Sequence, residues 1–269
     1  MTPALIEELT ETAHAMADAA RVPILQHFRS DKLSVDNKLA DGFDPVTAAD
    51  KAAEAAMRAV LAVHRPEDAI HGEEQGQTPG SSGLTWVIDP IDGTRAFMCG
   101  APVFGTLIAV HEGAAPILGI IDQPYTGERF LGRPNEAGSA QLTRNGQVRP
   151  LATRRGVSLA DATLLSTFPE IGTPAEATAF RSIAADARLT RYGLDCYGYA
   201  LVALGQADLV IEAGLNAYDI QGPMAVVQAA GGIVTNWRGG PCDQGGRVIA
   251  AGCPDLHKVV VERLSLADI

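Results

Sequence analysis

Apolar residues recur at helical spacing from the start of the chain: Ile6, Leu9, Ala13, Met16, Ala17, Ala20, Ile24 and Phe28 form one face. Thr2 and Pro3 precede it, a capping residue followed by the residue best tolerated at the first helical position. One long amphipathic helix is predicted. Residues 30–43 are polar and read as a loop or loose hairpin. Thr47 with Asp50 makes a capping-box variant, opening a second helix through Met57, Val60 and Leu61. The apolar pattern then changes to that of strands, at residues 68–71, 86–88, 103–110, 117–122 and 128–131. Residues 75–83 are rich in Gly, Ser and Pro and read as a mobile loop.

Residues 143–160 are polar and basic and divide the chain into halves, 1–150 and 151–269. Strands are expected beyond that at 162–166, 189–192, 209–212, 233–235 and 248–251. Helices are expected at 174–187, at 198–204 ending on Gly205, at 219–230 closed by Gly231-Gly232, and at 254–264. Pro223 would then fall in the first turn of its helix, where proline is tolerated. Strands alternating with helices argue for a layered α/β architecture. No internal repeat is visible.

Composition narrows the function. Of 269 residues, 46% are hydrophobic, enough to bury a large core. The formal net charge of −11 has no basic stripe to offset it, which argues against nucleic-acid binding. An anionic substrate would need local positive charge, which bound cations supply. Glu7, Glu8 and Glu11 stand where a leader would be basic, and no apolar run is long enough for a membrane span, so the chain reads as cytoplasmic. Cys99, Cys196, Cys242 and Cys253 include no CxxC pair and read as buried reduced thiols. The histidines form no metal-binding pattern.

The chemistry concentrates in Trp86-Val87-Ile88-Asp89-Pro90-Ile91-Asp92-Gly93-Thr94-Arg95-Ala96-Phe97. A buried strand would end at Pro90, which lacks an N–H and stiffens the turn. Asp89 and Asp92 flank that turn, and two carboxylates held rigidly suit a hard cation. Gly93 permits close backbone approach, and Thr94 suits the start of a helix whose amides can bind phosphate. The same residue types also make ordinary turns.

Three more motifs stand elsewhere along the chain: Gly72-Glu73-Glu74, the run Glu212-Ala213-Gly214-Leu215-Asn216-Ala217-Tyr218-Asp219, and, weaker, Asp44 to Asp50. Together they resemble the signature of the inositol monophosphatase superfamily, Mg²⁺-dependent phosphomonoesterases, over most of the chain. The resemblance implies a five-layer αβαβα sandwich with the site between the halves, and a homodimer. It implies that Glu73, Asp89, the carbonyl of Ile91, Asp92 and Asp219 ligate two or three Mg²⁺ ions. Glu73, Thr94 and Asp92 become the catalytic residues, the first two orienting and deprotonating a water. Ile91, Gly93, Arg191, Asp195 and Glu212 join Glu73, Asp92, Thr94 and Asp219 around the substrate, a small phosphomonoester. On local preference alone, Asp219 and Asp195 could each be only a helix cap, Glu74 a solvated neighbour, and Lys38 a solvated loop lysine.

Ile91-Asp92-Gly93-Thr94-Arg95-Ala96-Phe97, Gly100-Ala101-Pro102, Asp195-Cys196-Tyr197 and Tyr218-Asp219 resemble the histidinol-phosphate phosphatase branch. Met98-Cys99, Phe104 and Ile220-Gln221-Gly222-Pro223 depart from its commoner residues. Histidinol carries an ammonium and an imidazole, which Asp195 and Glu212 would suit. The implied reaction is hydrolysis of L-histidinol phosphate to L-histidinol in histidine biosynthesis. The alternatives are the same chemistry on inositol 1-phosphate or another small sugar phosphate, and a non-catalytic binding member.

Overall fold

The computed structural model describes residues 1–31, 35–37, 45–113 and 115–265, with side chains from residue 47 onward and for 1–31. Lys38 and Asp44 lie outside the described residues. Among the described residues there are seven α-helices: α1 (Pro3–His27), α2 (Ala48–His64), α3 (Thr94–Met98), α4 (Pro174–Ala184), α5 (Asp195–Ala203), α6 (Ala217–Ala229) and α7 (Pro254–Ser265). Thr2 caps α1, its hydroxyl accepting from the Leu5 amide, and Thr47 caps α2 through a full capping box with Asp50. Of the stretch expected to be a loop or loose hairpin, Val35–Asn37 is described and pairs antiparallel with Pro45–Thr47.

An eight-stranded sheet runs in the order Gln147–Pro150, Gln141–Arg144, Glu128–Gly132, Pro116–Gln123, Gly105–Glu112, Leu84–Asp92, Ala69–Gly72, Gly76–Thr78. The stretch expected to be a mobile loop therefore contains an edge strand, and the Ser81 and Ser82 amides donate to the Glu67 carbonyl. A five-stranded sheet runs Leu189–Tyr192, Thr163–Ser166, Leu209–Leu215, Gly246–Ala251, Ile233–Thr235.

The alternation of side chains along these strands builds the layers. Trp86, Ile88, Ile108, Val110 and Ile120 face α1 and α2, packing on Leu9, Met16, Ile24 and Met57. On the other face Leu107, Ile121 and Phe130 meet Tyr199 and Val202 of α5 and Ile220 and Met224 of α6. The same cluster takes in Val210, Val248 and Ala250 from the second sheet. Leu209, Ile211 and Ile249 on that sheet's far face pack against Phe180 of α4 and Leu256 and Val260 of α7. The order is helices, sheet, helices, sheet, helices, the five-layer sandwich.

Helix α6 sits unusually close to the first sheet. A Cβ added at Gly119 would come within 2.6 Å of the Gly222 carbonyl, and one at Gly132 within 2.6 Å of the Ala225 carbonyl. Glycine is needed there for contact rather than for conformation. Pro223 lies inside α6, not in its first turn, because the Asn216 capping box starts the helix at Ala217. Among the described residues no helix is long and apolar enough to cross a membrane. All four cysteines are free; three are buried, but Cys99, just after α3, is exposed.

Candidate active site

The Asp89–Asp92 turn is shaped by a slip in register. The strand Leu84–Asp92 does not stop at Pro90 as expected; it continues to Asp92, pairing with Gly105–Glu112 through an irregularity between Asp89 and Asp92. Such a bulge re-aims side chains and accommodates a residue with no N–H. The freed Pro90 carbonyl accepts from the Thr106 hydroxyl at 2.8 Å. Asp89, 2% exposed, accepts the Ile91 amide on Oδ1 at 2.9 Å. Asp92 accepts the Cys196 amide on Oδ2 at 2.7 Å, from the start of α5.

Asp219 reaches the same point from the first turn of α6. It is not the cap: Asn216 is, and its amide donates to Asp219 Oδ2 at 2.6 Å. Carboxylate oxygens of Asp89, Asp92 and Asp219 all lie within 4.8 Å of one another. Glu73, just past the end of Ala69–Gly72, stands beside Asp89. Burial, then the charges of Glu73, Asp92 and Asp219, push the Asp89 carboxyl well above the usual carboxylate range. Asp92 is pushed up by burial, then by Asp195 and Asp219, with the Cys196 amide opposing. Carboxylates that converge where their own charge is disfavoured make an oxygen-only donor set that fits a hard cation.

The second half supplies the opposite wall. Glu212, 6% exposed, accepts the Thr167 amide at 2.8 Å and the Thr167 hydroxyl at 2.9 Å. Burial raises its carboxyl to about 7, the Thr167 bonds opposing and Asp195 and Asp219 adding to the rise. Asp195 is not a helix cap either. It is the first residue of α5, after Leu194, with φ at +47°, a left-handed conformation costly for a residue with a Cβ. Gly93 is left-handed too, and a Cβ there would lie 3.0 Å from the Asp195 side chain. Burial raises the Asp195 carboxyl to about 6, with Arg95 opposing. The Arg95 guanidinium lies 5.0 Å from the centre of the Phe168 ring, bridging the two halves. Arg191 stands exposed on the edge strand Leu189–Tyr192, and among the described residues no ion pair joins it to Asp195.

Two acidic residues gain a significance that sequence reading missed. Asp50 is read from the sequence as a cap residue and as the end of the Asp44–Asp50 motif, with no role assigned at the site; its Oδ1 also lies 3.4 Å from the Thr94 hydroxyl, which is 3.1 Å from the Ile91 carbonyl. The Asp50 carboxyl is raised by burial, with Glu73 adding to the rise. Glu54, three residues before Met57 on the inner face of α2, is fully buried and accepts the Glu74 amide at 2.7 Å and the Gln75 amide at 3.0 Å. Its place on the buried stripe of α2 was the available signal. Glu74 is half-buried rather than merely solvated.

The sequence pattern of the inositol monophosphatase family matches residues 5–266. The bifunctional phosphatase IMPL2 of Arabidopsis thaliana is 37% identical over 96% of this chain and 75% of its own length. The histidinol-phosphatase of Streptomyces coelicolor is 34% identical over 89% of this chain and 90% of its own. Among solved structures, an inositol monophosphatase from Zymomonas mobilis is 39% identical, with a TM-score of 0.83, over 99% of this chain and all of that one.

Proposed function

The chain belongs to the inositol monophosphatase family of phosphatases, and from that premise we propose that it is a Mg²⁺-dependent phosphomonoesterase acting on L-histidinol phosphate. The observation that carries the substrate reading is the pair Asp195 and Glu212, one half-buried and one buried carboxylate facing the acidic cluster from the second half. Arg95 is the cation beside Asp195, and Glu212 is held by neutral Thr167 donors. Such a wall favours a leaving group that brings positive charge, as an ammonium does, over a neutral polyol.

Glu73, Asp89, Asp92, Asp219 and the Ile91 carbonyl would hold the magnesium, in two or three ions. When bound, it supplies positive charge for the phosphate oxygens and acidifies a water. The chain's residues do the positioning. Asp50 draws the Thr94 hydroxyl proton toward itself, turning the Thr94 lone pairs outward to accept from the attacking water. Glu73 takes the water's second proton. Helix α3 has only five residues, so its dipole is slight, but the Gly93 and Thr94 amides belong to a first turn that its own ladder does not use. They would bind phosphate oxygens. Asp92 and the Cys196 amide fix the cleft's width, while Asp195 and Glu212 bind the amine end, with Arg191 at the rim.

Inositol 1-phosphate is the second reading, favoured by the Zymomonas mobilis likeness. Phosphate release from histidinol phosphate and inositol 1-phosphate, assayed side by side with Mg²⁺, decides between them. A kcat/KM for inositol 1-phosphate equal to or above that for histidinol phosphate would reject the assignment.

A further inference from the structure

The Gly72-Glu73-Glu74 segment ends a strand, turns, and returns as Gly76–Thr78. A tip of this kind at a sheet edge is ordinarily loose, since few apolar contacts cross it. Here it is tied down from below. Glu54, fully buried on α2, accepts the Glu74 amide on Oε2 and the Gln75 amide on Oε1. Arg58, one turn further along α2, closes an ion pair with Glu54 at 2.8 Å. The same guanidinium donates to the Gly76 carbonyl at 2.6 Å and to the Thr78 hydroxyl at 2.9 Å. One carboxylate and one guanidinium thus bind every residue from 74 to 78 except Gln77.

Two features show that the contact is built in. A Cβ at Gly72 would overlap the Glu54 carboxylate, so the glycine of the motif is the residue that lets Glu54 reach the turn. The Glu73 amide, in between, donates to the Ile88 carbonyl at 3.1 Å, fixing Glu73 against the strand that carries Asp89. A buried ion pair seldom adds net stability over an apolar pair of the same shape. Its value here is geometric, because the bonds on residues 74 to 78 stop the backbone of Glu73 from rotating away.

We propose that Glu54 and Arg58 are positioning residues that hold the Glu73 carboxylate in the metal-binding arrangement, setting the protein's affinity for Mg²⁺. This rests on the metal reading of the acidic cluster. A pair that merely anchored α2 to the sheet would change stability and leave Mg²⁺ affinity alone.

The test uses the full chain as wild type, Glu54→Gln and Arg58→Lys. Mg²⁺ binding is measured by calorimetry, and amide hydrogen exchange at Glu74 and Gln75 is followed in chelator. Groups that orient a metal ligand are worth about ten- to a hundredfold in metal affinity, so Glu54→Gln should weaken Mg²⁺ binding by that much. Exchange at the two amides should quicken by about tenfold or more as the turn opens. The substrate KM at saturating Mg²⁺ should stay within about twofold, because the substrate wall is untouched. Arg58→Lys keeps the charge and loses the fork to Gly76 and Thr78, so it should weaken Mg²⁺ binding by a smaller factor and carries the test if Glu54→Gln fails to fold. Folded variants with wild-type Mg²⁺ affinity and exchange would overturn the proposal alone. A wild-type chain that binds no Mg²⁺ would overturn the metal reading with it.

Discussion

The Cys196 amide donates to the Asp92 carboxylate at 2.7 Å, across 104 residues of chain. Asp92 belongs to the strand end of the first sheet and Cys196 to the first turn of α5, which packs between the sheets. One bond therefore joins the acidic turn to the wall that would receive a leaving group. Asp92 has its Oδ2 on that amide, and its carboxylate meets Asp89 and Asp219. Asp92→Asn should preserve the fold, because an amide oxygen can still accept from Cys196. It should lower kcat by about a thousandfold, the loss of several kcal/mol of metal-assisted stabilisation. Steady-state kinetics with saturating Mg²⁺, beside a circular-dichroism melt, checks both halves of the expectation.

Thr94 makes its hydroxyl contacts with Asp50 and the Ile91 carbonyl, and a water-orienting role needs the hydroxyl rather than the methyl. Thr94→Ala should lose about a hundredfold or more in kcat, while Thr94→Ser stays within about tenfold of wild type. Equal losses in the two variants would show that packing, not the hydroxyl, matters.

Glu212 gives a pH signature. Its folded carboxyl is raised to about 7 from an ordinary 4.5. The folded state therefore holds the proton more tightly than the unfolded chain does. The associated stability is fully present below about pH 4.5 and is lost as pH rises through about 7. At about 1.4 kcal/mol for each tenfold change, that is a few kcal/mol. Urea unfolding between pH 5 and 8 should show stability falling, and Glu212→Gln should flatten that slope. An ammonium-bearing substrate prefers the ionised form, so KM for histidinol phosphate should fall as pH rises through about 7, and KM for inositol 1-phosphate should not follow it. Parallel KM profiles would separate Glu212 from the amine.

Asp195→Asn combined with Glu212→Gln should cut kcat/KM for histidinol phosphate far more than for inositol 1-phosphate, since only the first brings a cation. Each charge-assisted bond is worth about 1.5–3 kcal/mol, so a loss of a hundredfold or more is expected on the amine substrate. Comparable losses on the two substrates, in the same kinetic assay, would count against the amine assignment.

Gly119 and Gly132 seat α6, and with it Asp219, on the first sheet. Gly119→Ala should destabilise the protein by about 1–3 kcal/mol through overpacking, read from urea midpoints. It should also weaken Mg²⁺ binding, because the helix that presents Asp219 must move outward.

The local order of this protein is written in short-range patterns. The helical stripe from Ile6 to Phe28 and the Thr47–Asp50 box named α1 and α2 because a helix repeats its face every few residues. The acidic motifs named Glu73, Asp89, Asp92 and Asp219 because metal ligands are restricted in residue type, and their surroundings matched a family. What the tertiary structure decided is how distant groups meet. The bulge that carries the strand past Pro90, the left-handed Asp195, and the passage of Asp50 from cap to Thr94 partner each depend on residues far away in sequence. So does the burial of Glu54 beneath Gly72, eighteen residues on. Charge tells the same story: an aspartate has one ordinary acidity, and only the fold's burial and the like charges it gathers move Asp89, Asp92 and Glu212 away from it.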